Sequence, residues 1–327
     1  MGTYLLRRLL VALSSLAGIT VVTFALAHLA PGEPLPGAVD AQRPADPQTV
    51  HALRQRYGLD RPLPRQYADW VARVIRLDFG RSFVDHRPVR DKILERLPRT
   101  LALNLVSLLL IAVIAIPLGV ASAAHRDGPL DRIGGPILYA LYSLPSFWVA
   151  LLLQAGLAVG LGFFPLAGLH SDSASGWPFI WRWADAAWHM ALPALCLSYG
   201  SLAFFARFSR ASLLEALAAD FTRTARARGL PPGRVVWRHA LGASWLPFLT
   251  LSGLLLPTLV SGSVIIERIF AWPGIGTLLF DSLLARDYPT ILGLSGLTAI
   301  LVLAGTLGAD LLYLLADPRL RRSADVP

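Results

Sequence analysis

Six long apolar stretches, separated by polar segments, set the pattern of this chain. Each stretch holds about 20 or more predominantly apolar residues, since roughly 20 helical residues at about 1.5 Å each cross the hydrocarbon core of a bilayer. The third stretch is long enough to tilt or to bend at Pro145. The pattern predicts an all-α membrane protein with six transmembrane helices, at residues 9–30, 100–124, 133–164, 189–208, 243–266 and 289–316.

The first apolar stretch has two interpretations. Arg7 and Arg8 precede it and Ala-Leu-Ala at residues 25–27 is similar to a cleavage site, as in a secretory signal peptide. The apolar part of a signal peptide, however, spans only about 7–15 residues. The length of the stretch therefore favours a retained transmembrane helix.

The polar segment at residues 31–98 also shows helical patterns. Asp-Pro at residues 46–47 begins one predicted helix, which Gly58 ends. Pro64 opens a second, amphipathic helix, which would lie either at the membrane interface or against the membrane-spanning helices. Its apolar face contains Tyr67, Trp70, Val71 and Val74.

Composition supports a lipid environment and charge predicts an orientation. The chain is 54% hydrophobic and 16% charged, against roughly 25% charged residues in an ordinary soluble domain. The net charge of +9 comes from 29 arginines and a single lysine. Arginines concentrate in residues 125–132, in residues 207–238 and in the C-terminal tail, which predicts that these segments and both termini are cytoplasmic. The segment at residues 31–98 is longer than about 60 residues, so its arginines do not decide its side of the membrane. Acidic residues are interleaved with these arginines, which excludes a nucleic-acid-binding face.

The chain lacks sequence motifs for enzymatic chemistry. Its one lysine, Lys92, follows Asp91 and not glycine, so a phosphate-binding loop is excluded and ATP-driven work requires another chain. No H-E-x-x-H or G-x-S-x-G motif occurs. The one cysteine, Cys196, excludes an intrachain disulfide. We expect no catalytic residue, no metal site and no cofactor in this chain.

The cytoplasmic segment after the fourth span predicts two short helices. Gly229 suits the residue after a helix end, Pro231 and Pro232 prevent continuation, and a second helix begins near Gly233. A basic helix–turn–helix of this kind suggests a docking element, and anionic lipid headgroups are the alternative partner.

The segment DFTRTARARGLPPGRVVWRHAL, residues 220–241, resembles the coupling loop of ABC-importer permeases. The resemblance is to the first permease subunit of the dipeptide and oligopeptide importers, and it extends in order along nearly the whole chain. The further similar stretches are LAPGEP (29–34), YGLDRPLPRQYADW (57–70), LDFGRSF (77–83), RLPRTLAL (96–103), YSLPSFWVALLL (142–153), IFAWPGIG (269–276), LLARDYP (283–289) and ADLLYLLADPRLR (309–321).

The resemblance carries over to the coupling loop residue by residue. The general motif opens with Glu-Ala-Ala, and a glycine follows after three intervening residues. The opening here is Arg-Thr-Ala, as in the peptide branch, and Gly242 stands in place of a proline. The resemblance implies that this loop, within residues 214–241, docks onto a cytoplasmic ATPase. The positions assigned to it are Arg223, Thr224, Ala225, Arg226, Arg228, Gly229, Leu230 and Leu241.

The resemblance further implies a type I ABC importer permease fold and a set of partners. These are a homologous second permease, two ATPase subunits that bind ATP and Mg²⁺, and an extracytoplasmic solute-binding protein, in the cytoplasmic membrane of a prokaryote. We expect an N-terminal helix with its extracytoplasmic segment at 1–95, a transmembrane domain at 96–316 and a cytoplasmic tail at 317–327. The alternative is a stand-alone channel or secondary transporter, which would need no structured basic loop.

Polar residues on the apolar spans are candidates for the solute pathway or for helix–helix hydrogen bonds. Asp310 is ionisable within a span, and we expect it to pair with an inner-loop arginine or to line the pathway. Glu267 and Arg268 end the fifth span beside a glycine-rich loop. The other candidates are Asn104, Gln154, Ser198, Tyr199 and Ser261.

Overall fold

Helices joined by short loops make up the described part of the protein. The computed structural model describes residues 2–29, 60–244 and 262–316, with isolated positions 48, 51, 55 and 259. Most of the helix predicted at residues 46–58, most of the fifth predicted span and Ser261 lie outside the described residues. The helices are α1 (Gly2–Leu29), α2 (Leu63–Ile75), α3 (Val89–Ala124), α4 (Pro129–Ser143), α5 (Ser146–Gly160), α6 (Phe179–Ala218), α7 (Asp220–Ala227), α8 (residues 232–244), α9 (Val264–Ile269), α10 (Ile275–Leu284) and α11 (Tyr288–Ala316).

Four of these helices, α1, α3, α6 and α11, are long and apolar enough to cross a membrane, and α4 with α5 forms a fifth, bent candidate. Helix α6 has 40 residues, about 60 Å at 1.5 Å per residue, twice the thickness of a hydrocarbon core. The helices that contain the predicted spans at residues 100–124 and 189–208 are therefore longer than the spans themselves. The charged and aromatic turns that border these apolar runs continue the same helices.

The third predicted span is broken and not straight. Helices α4 and α5 meet at 102°, because Pro145 lacks an N–H for the helical ladder and restricts the residue before it. Leu144 adopts an extended conformation with ψ of 137°. The predicted bend at Pro145 is thus confirmed.

Helices α3 and α6 pack closely at Gly119. A side-chain β-carbon at this glycine would lie 2.4 Å from the carbonyl oxygen of Ala206 and 2.5 Å from the β-carbon of Ser209. The Ser209 hydroxyl donates to the Ile116 carbonyl oxygen over 3.2 Å. Small residues at such contacts let two membrane helices approach each other closely. These two helices therefore form the frame against which the inner loop packs.

The amphipathic helix α2 packs against the spans, which decides between the two predicted placements. Trp70 and Val74 are buried against Phe24 of α1, and Tyr67 and Val71 border this cluster. The rings of Phe24 and Trp70 stack at 5.8 Å. Much of the outward surface of α1 is apolar, including Leu10, Val22 and Leu26, each more than half exposed, as suits a surface in contact with lipid.

Candidate functional site

The segment at residues 219–244, which we call the inner loop, begins where helix α6 ends. Ala219, the residue between α6 and helix α7 (Asp220–Ala227), has an extended conformation. The Thr222 hydroxyl lies within 3.0 Å of the carbonyl oxygens of Ala216, Leu217 and Ala219. Because the last carbonyls of a helix have no partner within it, this buried hydroxyl stabilises the end of α6 and fixes the direction of α7.

Gly229 makes the turn between the two short helices. Its φ is +78°, a left-handed conformation that favours glycine. No atom lies within 4 Å of the place where its side-chain β-carbon would be, so the backbone conformation, and not a lack of space, requires glycine here. Helix α8 then begins at Pro232. The predicted two-helix arrangement is confirmed.

One face of the inner loop packs against the transmembrane helices. Val120 and Ala123 of α3, Leu213 and Ala216 of α6, and Ala240 of α8 form a buried group, which we call the inner cluster. Leu241 is half-buried against the inner cluster, and Ala225 is a buried residue of α7. Leu230 is also half-buried. Helix α8 is thus held on both α3 and α6.

The opposite face of the loop is basic and exposed. Among the predicted docking residues, Arg223, Thr224, Arg226 and Arg228 are all exposed. Arg223 lies 3.5 Å from the Asp220 carboxylate. Within the part of the chain that the structure describes, Arg226 and Arg228 form no ion pair. The predicted set therefore divides into outward residues that can contact a partner and inward residues that hold the loop.

Sequence reasoning missed two exposed aromatic residues on this loop. Phe221 is 46% exposed and Trp237 is 57% exposed, although burial of an aromatic side chain is normally favourable. Exposed aromatic residues beside arginines are typical of protein interfaces. An aromatic residue on an otherwise polar short helix was the available sequence signal.

A second feature that the sequence did not reveal lies near the base of the loop. Arg210 of α6 donates from Nε and Nη2 to the two carboxylate oxygens of Asp131, at 2.5 and 2.7 Å. Ser122 donates to the same carboxylate over 3.0 Å, as does the backbone N–H of Asp127 over 3.1 Å. The Asp131 side chain is only 9% exposed. This bidentate pair joins helices α3, α4 and α6.

Two of the predicted polar residues donate hydrogen bonds to backbone carbonyl oxygens of distant segments. Asn104 donates from Nδ2 to the carbonyl oxygen of Leu259 over 2.6 Å. Gln154 donates to the carbonyl oxygens of Leu166 and Ile269, over 2.8 and 3.2 Å. These contacts give both side chains a structural function, and their contribution to a solute pathway stays a prediction.

Tyr199 lies at the break between α4 and α5. Its hydroxyl donates to the Leu144 carbonyl oxygen over 2.5 Å, which satisfies a backbone group that the break at Pro145 leaves without a helical partner. Ser198 donates within its own helix.

Asp310 forms an ion pair, but not with the predicted kind of partner. Nη2 of Arg8, at the start of the first span, lies 2.8 Å from the Asp310 carboxylate. The expectation of an inner-loop arginine was wrong because α1 and α11 pack side by side, although 302 positions separate the two residues. The pair stabilises the contact between the first and last helices.

Glu267, at the end of the fifth predicted span, holds the glycine-rich loop before α10. The fully buried carboxylate accepts from the Thr100 hydroxyl over 3.1 Å and from the Thr277 backbone N–H over 2.8 Å. Thr277 is in the first turn of α10, where a negative group interacts favourably with the helix dipole. β-Carbons at Gly274 or Gly276 would lie within 3 Å of this carboxylate. The compact loop therefore depends on glycine at these positions.

The single lysine lies in a cluster of charged and polar side chains. Lys92 Nζ is 3.1 Å from Asp85 and 3.7 Å from the buried Asp287. Asp287 accepts from the Ser82 hydroxyl over 2.5 Å and from the Thr290 hydroxyl over 2.6 Å. Burial raises the pKa of Asp85, but hydrogen bonds from Lys92 and Ser82 outweigh it, so the pKa lies below its usual value. A cleft of about 270 Å³ adjoins the cluster.

No group of three or more His, Cys, Asp or Glu side chains in the described ranges could hold a metal ion.

Two neighbouring parts of the sequence match one family. Residues 115–322 match "Binding-protein-dependent transport system inner membrane component", and residues 1–104 match the N-terminal component of the same system.

Several curated proteins are similar over nearly their whole length. The oligopeptide transport system permease AppB of Bacillus subtilis is 38% identical over 98% of this chain and 99% of its own. The di/tripeptide permease DppB of Pseudomonas aeruginosa is 37% identical, with 98% and 99% covered. The glutathione permease GsiC of Pectobacterium atrosepticum is 35% identical, again with 98% and 99% covered.

A solved structure shares the fold. The inward-facing MetNI methionine ABC transporter has a chain that matches with a TM-score of 0.55 and 21% identity, covering 69% of this chain and 96% of that one. The architecture is therefore that of a type I ABC importer permease. The family match and the full-length permease relatives show that the protein is a transporter subunit and not an enzyme. By its match over residues 1–104 and 115–322, the chain belongs to the family of binding-protein-dependent transport system inner membrane components.

Proposed function

We propose that this chain is one permease half of an ATP-driven importer that moves dipeptides, oligopeptides or related small solutes into the cell. The observation that carries the proposal is the inner loop, whose inward face packs on α3 and α6 while its basic face stays exposed. A loop held in this way can pass a displacement from a cytoplasmic partner to the spans. The peptide-transport names of the full-length relatives support the solute class.

The proposal includes the topology and the division of the chain. Six spans place both termini in the cytoplasm, with residues 31–98 outside, and five predicted spans correspond to described helices. The N-terminal part is 1–95, the transmembrane domain 96–316 and the tail 317–327. The arginines of the inner loop and tail support this orientation, since positive residues are retained on the cytoplasmic side.

The proposal also includes the partners of this chain. The importer has two ATPase subunits, which bind ATP and Mg²⁺. One of them docks at Arg223, Thr224, Arg226 and Arg228 of this chain, and its carboxylates pair with Arg226 and Arg228. A homologous permease completes the pathway, and an extracytoplasmic binding protein delivers the solute. Phe221 and Trp237 add apolar area to the ATPase interface, because aromatic residues at such sites often contribute much of the binding energy.

The test is substitution of the turn glycine in the complete importer. Gly229→Asp places a β-carbon at a positive φ and a negative charge among arginines, so we expect the chain to reach the membrane but to lose transport-coupled ATP hydrolysis. The matched control is Gly233→Asp, four residues further on, where no positive φ is required and no atom crowds the site. Co-purification of the ATPase, ATP hydrolysis and solute uptake in vesicles are measured for each.

The outcomes separate the two functions considered for the chain. Normal uptake by Gly229→Asp contradicts the docking function of the loop. If the wild-type chain brings no ATPase on purification and transports in ATP-free vesicles, the importer proposal fails and a channel or secondary transporter takes its place.

A further inference from the structure

The bidentate pair between Asp131 and Arg210 lies between the inner loop and the spans. Arg210 is one turn before Leu213, which supports helix α8 through the inner cluster. Asp131 is in the first turn of α4, the first half of the bent pair. The pair therefore connects the helix that carries the loop with a helix that has no direct support from it.

Helix α4 is packed less tightly than its neighbours. None of its residues is buried, whereas α3 and α6 share the contact at Gly119 and two buried clusters. Leu138 of α4 is half-buried against one of these clusters, and the Arg207 guanidinium lies 5.6 Å from the centroid of the exposed Tyr139 ring, an exposed cation–π contact, which is weak. Loss of the ion pair would thus loosen the first turns of α4 without separating α3 from α6.

The chemistry of the pair suits a rigid connection. A planar guanidinium bound at two points to a carboxylate fixes both distance and orientation. Ser122 of α3 and the Asp127 N–H, in the loop before α4, bind the same carboxylate. The Asp131 side chain is 9% exposed and the Arg210 side chain 34%, so solvent and salt screen this pair less than they screen a fully exposed one.

We propose that Asp131 and Arg210 are positioning residues that make α4, the inner ends of α3 and α6, and the inner loop move as one body during transport. The inference rests on the proposed importer function and goes beyond it, because it assigns a path by which movement of the loop reaches the bent helix pair. In the intact importer, the pair converts displacement of α7 and α8 into displacement of α4. Without it, ATP hydrolysis continues but is no longer matched by solute movement.

The experiment uses the assembled importer with its binding protein in proteoliposomes and measures solute taken up per ATP hydrolysed. We expect Asp131→Asn and Arg210→Gln to keep the ATPase bound and hydrolysing, while uptake per ATP falls at least about fivefold, the lower range of typical coupling between sites. Arg210→Lys, which keeps the charge but loses the two-point geometry, also lowers the ratio. The exchange Asp131→Arg with Arg210→Asp restores part of it.

Arg132→Gln is the matched control. Arg132 follows Asp131 on the same helix, is exposed and forms no ion pair in the described part of the chain, so its loss leaves uptake per ATP unchanged. An unchanged ratio in Asp131→Asn overturns the proposal. Loss of the bound ATPase in Asp131→Asn also overturns it, because the pair would then support docking or folding instead. Failure of the importer function itself is recognised separately, by ATP-independent uptake in the wild type.

A distance measurement tests the one-body statement directly. Spin labels at Leu130→Cys in α4 and Ala227→Cys in α7 report their separation, and the native Cys196 is only 1% exposed and stays unlabelled. We expect the same narrow distance distribution in the nucleotide-free and vanadate-trapped states, and a broader one in Asp131→Asn. A wild-type separation that changes between the two states contradicts the proposal.

Discussion

At the scale of single residues, buried polar side chains in this protein form hydrogen bonds with backbone groups that have no partner within a helix. Glu267 is the clearest example, since its carboxylate and the Thr100 hydroxyl receive the N–H groups of Thr277 and Ile275 at the start of α10. Removing such a partner leaves a buried polar group without a hydrogen bond, which costs about 1–3 kcal/mol. The glycine-rich loop is compact because its chain lies directly against the carboxylate.

Gly274→Ala tests this close approach. The new β-carbon would lie 2.4 Å from Cδ of Glu267, so we expect a loss of roughly 1–3 kcal/mol, as is typical of overpacking. The midpoint of thermal unfolding is measured in detergent, with the loss of the monodisperse peak as the signal.

Gly134→Ala is the matched control, because no atom lies within 4 Å of its β-carbon position in α4. Alanine is favoured over glycine inside a helix, so its midpoint stays the same or rises. Equal midpoints for Gly274→Ala and the wild type would show that the loop has room for a side chain.

Residues of this kind differ in how far the sequence reveals them. Gly229 is readable, because a glycine between a helix and two prolines predicts a left-handed turn. The pair of Asp131 and Arg210 is not, since 79 positions separate them and neither lies in a motif. A local pattern identifies local conformation, whereas an ion pair depends on the packing of distant segments.

At the scale of elements, breaks and unequal helix lengths distinguish the structure from a simple bundle. Helices α4 and α5 meet at 102°, and the Tyr199 hydroxyl binds the freed Leu144 carbonyl. Proline at residue 145 predicts the break, but the direction of the bend depends on the neighbouring α6. Tyr199 is thus a structural residue of the bend.

Tyr199→Phe removes only the hydroxyl that binds the Leu144 carbonyl. We expect a destabilisation of about 1–3 kcal/mol, since the carbonyl loses its partner, and a lower midpoint of thermal unfolding. Tyr142→Phe removes a hydroxyl from a side chain that is 59% exposed and has no hydrogen bond in the described part, so its midpoint stays at the wild-type value. The same midpoint in both variants would exclude a stabilising function for the Tyr199 hydroxyl.

At the scale of the whole molecule, the proposed topology places the inner loop and the outer loops on opposite sides of the bilayer. Because Cys196 is buried, a membrane-impermeant maleimide reacts only with a cysteine that is introduced at the surface, one position in each variant. We expect labelling of Asp60→Cys, Ser173→Cys and Leu284→Cys in intact cells, where the outer face is accessible. Ala227→Cys is labelled only after the membrane is opened.

Leu284 and Ala227 together test the fifth span, because an odd number of crossings must separate an outer from an inner residue. Labelling of both from the same side would contradict the six-span topology. Labelling of Asp60→Cys only in opened membranes would contradict the outer location of residues 31–98.

The sequence by itself determined the membrane class, the helical character, the basic inner loop with its glycine turn and, by resemblance, the importer family. The first three of these properties follow from local composition and periodicity, which a linear chain records directly, and the family follows from the resemblance of its motifs. The tertiary structure decided the packing of α2 on the spans, the pairing of Asp310 with Arg8, the direction of the bend at Pro145 and the Asp131–Arg210 connection. Each of these depends on which distant helices become neighbours, and the free energy of such contacts arises only when the helices pack together.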